Sequence, residues 1–250
     1  MRSFIVCAAL LICGFVAEAQ RVLIHSHNDY EQSQPLINAL RNQVFSLEAD
    51  VYLVNDTPKV VHDKKNLAGA PALFSLYIEP ITKLFNANKG RISNDPGYAP
   101  VLMIDIKENG DAVLAALVKL LSAYPQVFDR KVNPKAVQIV ISGDRGDRSK
   151  WTSLPSYIFF DGRINEVYSN EQLEKVAFIS DSYLNYTKQK DSTDLLIKQL
   201  AEKAHQKKKL LRLWAIPDSS SSWMHLRDLG VDIINTDKVE ECRKFFAVKQ

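Results

Sequence analysis

Glu48 and Asp50 stand two residues apart in the run FSLEADVYLV, and Asp105 and Lys107 repeat the spacing in PVLMIDIK. Residues i and i+2 of a strand share a face. Each pair therefore projects two polar side chains from one side of an apolar strand, which is costly to desolvate unless a cation or donor meets them. Glu48, Asp50 and Asp105 together offer three hard oxygen ligands from neighbouring strands, a set suited to one divalent cation, Mg²⁺ or Ca²⁺. The competing arrangement is a salt-bridge set with Lys107 and Arg212. Histidines gather at the same place: His25 and His27 end the strand VLIHSH, and His62 ends VVHD after a turn at Asn55-Asp56-Thr57-Pro58. Imidazole titrates near neutral pH, so His62 and one of the pair His25/His27 are candidates to move protons. Lys107, as a point charge, and Arg212, as a fork, are candidates to bind phosphate.

The elements that must position these residues alternate along the chain. Apolar strand-like runs fall at 22–25, 45–52, 100–107, 136–142, 157–161, 176–180, 210–216 and 231–235, with amphipathic stretches at 36–42, 72–87, 111–124, 192–208, 222–229 and 239–247. Within 111–124 the residues Val113, Leu114, Leu117, Val118 and Leu121 form one stripe at the helical period. Eight strands with intervening helices predict a single-domain (β/α)₈ TIM barrel, with a doubly wound sheet as the rival. In such a barrel the site lies at the C-terminal ends of the strands. The polar residues cluster at those ends, continuing with Ser142, Asp161, Arg212 and Trp214. His205 and His225 lie in helical patterns and read as surface or packing residues.

Composition narrows the classes further. Over 250 residues the net charge is +3, too mild to argue for nucleic acid or a membrane surface. Met1-Arg2-Ser3, the apolar run 4–16 and Ala17-Glu18-Ala19 describe a cleaved signal peptide over residues 1–19. That predicts a secreted or periplasmic protein with no stable membrane anchor, its barrel domain spanning 20–250. Cleavage would remove Cys7 and Cys13, leaving Cys242 with no intrachain disulfide and no cysteine metal cluster to join. An H-x-H pair after a first barrel strand also opens the transition-metal site of amidohydrolase-type enzymes. Such sites draw further histidines from the middle strands, and this sequence has Ser142, Asp161 and Ser180-Asp181 there instead.

HSHNDY followed by SLEADVYLV, VVHD, PVLMIDIK and a late LRLWAIP…LGVDIINTD resembles the glycerophosphodiester phosphodiesterase / phospholipase C-like phosphodiesterase superfamily over nearly the whole chain. The resemblance implies a TIM barrel, one divalent cation and two histidines as general acid and base. It implies Glu48 and Asp50 as E-x-D metal ligands, Asp105 in place of a ligand glutamate, His62 as the second catalytic histidine, Lys107 as the site lysine and Trp214 as a site-lining aromatic. Two of the family's patterns are changed: His25-Ser26-His27 replaces H-R-G, removing a phosphate-binding arginine, and the E-N-T that follows is missing. The first catalytic histidine is then His25, favoured by strand register, or His27, with Asn28 or Asp29 in reach of metal and Asn28 in reach of substrate. The implied activity is cleavage of a P–O bond in a small phosphodiester or phospholipid-derived substrate. A non-catalytic binding protein on the same barrel is the alternative from another class.

Overall fold

The computed structural model describes residues 22–188 and 192–248. Eight parallel strands form the barrel: β1 (Leu23–Ser26), β2 (Ser46–Val54), β4 (Val101–Ile106), β5 (Gln138–Gly143), β6 (Ile158–Gly162), β7 (Val176–Ser182), β8 (Leu211–Trp214) and β9 (Ile233–Thr236). β1 pairs with β9 on one side and β2 on the other, which closes the sheet on itself. The expected TIM barrel is the fold, and the doubly wound sheet is excluded by that closure. The helices α1 (Ile37–Arg41), α2 (Glu79–Ala87), α3 (Gly110–Leu121), α4 (Pro125–Phe128), α5 (Asn170–Lys175), α6 (Thr193–Gln206), α7 (Ser220–Asp228) and α8 (Val239–Val248) lie along the chain between and after the strands. Among the described residues, no helix is long and apolar enough to cross a membrane.

Strand alternation sorts the core into two compartments. One large cluster fills the space between sheet and helices, with Leu47, Ala49 and Val51 of β2 and Ile104 and Ile106 of β4 against residues such as Val113, Leu117 and Leu121 of α3. A small second cluster, Val101, Met103, Val140, Phe178 and Ile233, plugs the barrel interior. Above that plug the inward positions become polar and stay buried: His25, Ser46, Glu48, Ser142, Asp161, Ser180, Arg212 and Asn235. The interior thus changes from apolar at the strand starts to charged at the strand ends.

Two local devices bring further side chains to that end. The ninth strand, β3 (Thr57–Val60), runs antiparallel to β2 outside the barrel. Asn55 and Asp56 make its two-residue turn, both with left-handed φ (47° and 58°), the primed turn geometry that matches hairpin twist. The return hydrogen bond from Val61 N to Asp50 O at 3.1 Å then sets His62 beside Asp50. The second device is the loop after β1. Asp29 is fully buried and accepts hydrogen bonds from Ser26 Oγ (2.9 Å), Leu36 N (2.7 Å) and Tyr77 Oη (2.9 Å). These contacts hold Leu36 at φ 63°, a strained conformation for a branched side chain. Both oxygens of Asp29 are committed to the loop, so its expected reach to metal is corrected to a structural role.

Asp29→Ala would leave the Tyr77 hydroxyl and the Leu36 amide buried without acceptors. The expected cost is about 2–3 kcal/mol of folding stability, read from the urea midpoint. A loss below about 0.5 kcal/mol would show that the loop holds its shape without the carboxylate.

Candidate active site

The acidic cluster forms as its spacing predicts. In register, Glu48 faces Met103 and Asp50 faces Asp105 across β2 and β4. One carboxylate oxygen from each of Glu48, Asp50 and Asp105 lies within 4.8 Å of the others, and among the described residues this trio is the one set of His, Cys, Asp or Glu that could hold a metal ion. Lys107 Nζ bridges Asp50 Oδ2 (2.7 Å) and Asp105 Oδ2 (2.6 Å), and those two carboxylates hold its pKa above the usual lysine range despite burial. Asp50 Oδ2 also accepts from Tyr30 Oη at 2.9 Å and pairs with His62 Nδ1 at 2.8 Å. Its other oxygen, Oδ1, is buried with no hydrogen-bond partner. A buried orphan carboxylate oxygen inside a convergent oxygen trio fits a hard divalent cation.

The three site histidines differ in access. His25 is 0% exposed, with Nδ1 2.7 Å from Ser46 Oγ and Nε2 2.6 Å from Glu48 Oε2. Burial first, and then the charge of Arg212 with Nη1 2.8 Å away, lower its pKa to about 4, so the ring is neutral. Burial alone would raise Glu48, but the His25 hydrogen bond and the Arg212 charge hold that carboxyl well below its usual range. His27 is a third exposed and pairs through Nδ1 with Asp237 Oδ1 at 2.7 Å. Burial would lower His27, but the Asp237 hydrogen bond and the charge of Glu48 raise it above its ordinary value. His62 is 56% exposed and pairs through Nδ1 with Asp50. His27 and His62 therefore share one arrangement: Nδ1 on a carboxylate, and Nε2 with no hydrogen-bond partner among the described residues.

The H-x-H pair does not converge on a shared point, since His25 binds Ser46 and Glu48 while His27 binds Asp237. Its geometry is unlike a paired-histidine metal centre. Asn28 sits next to His27 in the left-handed region (φ 44°), and its Oδ1 accepts from Tyr30 Oη at 3.2 Å. His205 and His225 lie on α6 and α7, in exposed pairs with Asp232 and Asp194. Asp237 and Tyr30 were not singled out from sequence. Asp237 closes the motif GVDIINTD, whose aspartate follows the last strand, and Tyr30 ends HSHNDY; both motifs were visible, but their polar partners were not.

Arg212, expected as a phosphate binder, is 3% exposed inside the barrel. Its guanidinium reaches Asn235 Oδ1 (3.0 Å), Glu48 Oε2 (3.4 Å), Ser180 Oγ (3.1 Å) and Asp161 Oδ2 (3.5 Å). Asp161 Oδ2 also accepts from Ser142 Oγ at 3.0 Å. Trp214, two residues along β8, lies half-buried at the mouth with the Arg212 guanidinium 5.8 Å from its ring centre. Two clefts of about 740 and 670 Å³ lie away from these residues, lined respectively by groups such as Leu53, Phe74 and Tyr124 and by Trp223 and Phe245. The carboxylates, histidines and orphan oxygen identify the site better than cleft volume does.

Arg212→Met would leave Glu48 buried in the barrel without its guanidinium, whereas Asp161 keeps Arg163 at 2.9 Å. A loss of about 3–5 kcal/mol in urea unfolding is expected. A neutral or stabilising result would show that the buried carboxylates do not depend on the guanidinium.

The barrel is similar to that of a glycerophosphodiester phosphodiesterase from Parabacteroides distasonis, with a TM-score of 0.61 at 15% identity over 92% of this chain and 100% of that one. It is also similar to an Oleispira antarctica phosphodiesterase solved with the product sn-glycerol-3-phosphate, with a TM-score of 0.56 at 14% identity over 90% and 96% of the two chains. At these identities the likeness is one of fold. Sequence relatives include Altered inheritance of mitochondria protein 6 of Eremothecium gossypii, 30% identical over 270 residues, covering 89% of this chain and 69% of the relative. The homologue from Arthroderma benhamiae is 26% identical and covers 89% and 83%. These relatives correct the secreted or periplasmic location expected from the N-terminus, because their name ties them to inheritance of an organelle inside the cell. The expected signal peptide, residues 1–19, lies outside the described residues. The profile of the AIM6-like phosphodiesterase domain matches residues 14–161, starting within that stretch and covering more than half of the chain. The chain belongs to the AIM6-like phosphodiesterase family, in keeping with the superfamily that its motifs resemble.

Proposed function

We propose that this protein is a metal-assisted phosphodiesterase that cleaves a P–O bond of a small glycerophosphodiester or phospholipid head group by histidine acid–base catalysis. The observation that supports it is the matched pair of histidine–carboxylate dyads, His27–Asp237 from the β1–β9 side and His62–Asp50 from the β2–β3 side, beside the trio Glu48, Asp50 and Asp105. Glu48, Asp50 and Asp105 would hold one divalent cation, Mg²⁺ or Ca²⁺, which when bound neutralises phosphate charge and stabilises charge developing in the transition state. Lys107, held cationic by Asp50 and Asp105, adds a positive charge at the same place.

The dyads divide the proton work. In each, the carboxylate fixes a proton on Nδ1 and turns Nε2 toward the site. His27, raised above its ordinary pKa, is protonated further into the neutral range and suits the general acid that delivers a proton to the leaving alcohol. His62 Nε2 is then the base that takes the proton of the nucleophile, water or a neighbouring substrate hydroxyl. His25, neutral and closed off from solvent, positions Glu48 through Nε2.

Hydrolysis of bis(p-nitrophenyl) phosphate and of glycerophosphodiesters tests this. Turnover should vanish with EDTA, return with Mg²⁺ or Ca²⁺, and fall about 10²–10⁴-fold in His27→Ala and in His62→Ala. Histidine variants as active as the wild type, or turnover indifferent to EDTA, would sink the assignment. Restoration by Zn²⁺ alone would favour the amidohydrolase-type alternative, and metal-dependent stabilisation without turnover of any diester would favour a binding protein. The proton assignment has its own check. Asp237→Asn removes the group that raises His27, so the alkaline limb of the kcat profile should move to lower pH. An unmoved limb would assign the acid elsewhere.

A further inference from the structure

The ends of β6 and β8 carry a cation that the proposed chemistry leaves unused. Arg163 directly follows β6, and its Nη1 is anchored on Asp161 Oδ2 (2.9 Å), Asp161 O (3.2 Å) and Gly162 O (3.1 Å). Its Nε and Nη2 have no hydrogen-bond partner among the described residues. The guanidinium lies 4.9 Å from the ring centre of Trp214, closer than that of Arg212. Arg212 is sealed in the barrel, whereas 24% of the Arg163 side chain is exposed, so Arg163 is the guanidinium a ligand can meet.

Charge around it is positive. The single carboxylate of Asp161 faces both Arg163 and Arg212. On the neighbouring loop, Glu166 is already held in a two-pronged pair by Arg145 (2.6 and 3.0 Å), with Arg148 at 3.8 Å. Arg212 spans from Glu48 to Asp161, which places Arg163 one guanidinium beyond the acidic trio. An indole at a site mouth is an attractive seat for a quaternary ammonium group. Here guanidinium groups lie against Trp214, and a cationic head group would meet like charge instead.

We infer that Arg163, braced on Trp214 and Asp161, is a specificity-determining residue that selects diesters whose head group bears a further negative charge, a second phosphate or a carboxylate, over quaternary ammonium head groups. The free Nε–Nη2 edge matches the two-oxygen geometry of either anion. This inference rests on the phosphodiesterase reading for where the scissile phosphate sits.

Calorimetric titration of the full-length His62→Ala protein, which holds ligand without turning it over, tests it with two probes, glycerophosphoinositol 4-phosphate and glycerophosphocholine. The doubly anionic diester should bind at least about tenfold more tightly. Adding Arg163→Gln should erase that preference, and adding Arg163→Lys, which keeps the charge without the fork, should retain part of it. Thermal unfolding confirms that each variant is folded, and the Lys variant alone decides the matter if the Gln variant is not. Equal affinities, binding of neither probe, or a preference that survives Arg163→Gln overturns the inference. Turnover by the wild-type protein is scored separately. Turnover without head-group preference defeats this inference alone, whereas an Arg163-dependent anion preference without turnover defeats the phosphodiesterase reading alone.

Discussion

A guanidinium buried in the middle of a closed barrel is the constraint from which the rest of the site follows. Arg212 has little contact with water, and an arginine does not escape the desolvation penalty by losing its proton. Its charge must be met by fixed anions and dipoles. Glu48 from β2, Asp161 from β6, Ser180 from β7 and Asn235 from β9 supply them. Four strands are thereby tied to one planar group, and the Glu48 carboxyl that faces it is held well below its usual range. The same cation explains His25. A protonated imidazole 2.8 Å from a guanidinium would set two positive charges side by side, so the ring stays neutral while its Nε2 rests 2.6 Å from Glu48. The layer beneath the mouth is therefore a rigid electrostatic floor, and the groups open to solvent stand on it.

The barrel itself was readable because parallel strands buried on both faces appear as apolar runs, and all eight emerged within a few residues of their observed ends. Local detail was less visible. Residues 72–87 read as one helix, yet its first turns are a π-helical segment, Phe74–Ile78, which places Tyr77 against Asp29. The short α5 was missed because its start depends on the capping box of Ser169 with Gln172 rather than on an apolar stripe. For the site, the i, i+2 spacing found the acidic trio and Lys107, since that geometry is intrinsic to a strand. It could not rank His25 against His27. His25, within β1, is sealed on Ser46 and Glu48, whereas His27, just past the strand end, meets Asp237 in the open, and this difference in depth is fixed by the surrounding strands. Asp237 was invisible for a related reason: its importance comes from a contact 210 residues away.

The motif HSHNDY shows how one short segment serves several tasks. Its first histidine braces Glu48, and its serine donates to Asp29. The second histidine meets Asp237, and the asparagine turns the chain in the left-handed region. Asp29 anchors the loop, and Tyr30 reaches across to Asp50. Serine where the superfamily pattern has arginine is thus occupied with structure. The positive charge near this strand comes from Arg212, on the other side of β9.

The seam where β1 meets both β2 and β9 has a temporal consequence. The acidic trio, Lys107 and His62 all lie within the first 107 residues and can come together early, whereas Arg212 and Asp237 belong to the last two strands. Until β8 and β9 dock, Glu48 lacks its cation and His27 lacks its carboxylate. The residues up to Lys107 alone thus bring the acidic trio together without its finished charge pairing. The charge pairing of the site is complete only when the final strand closes the ring.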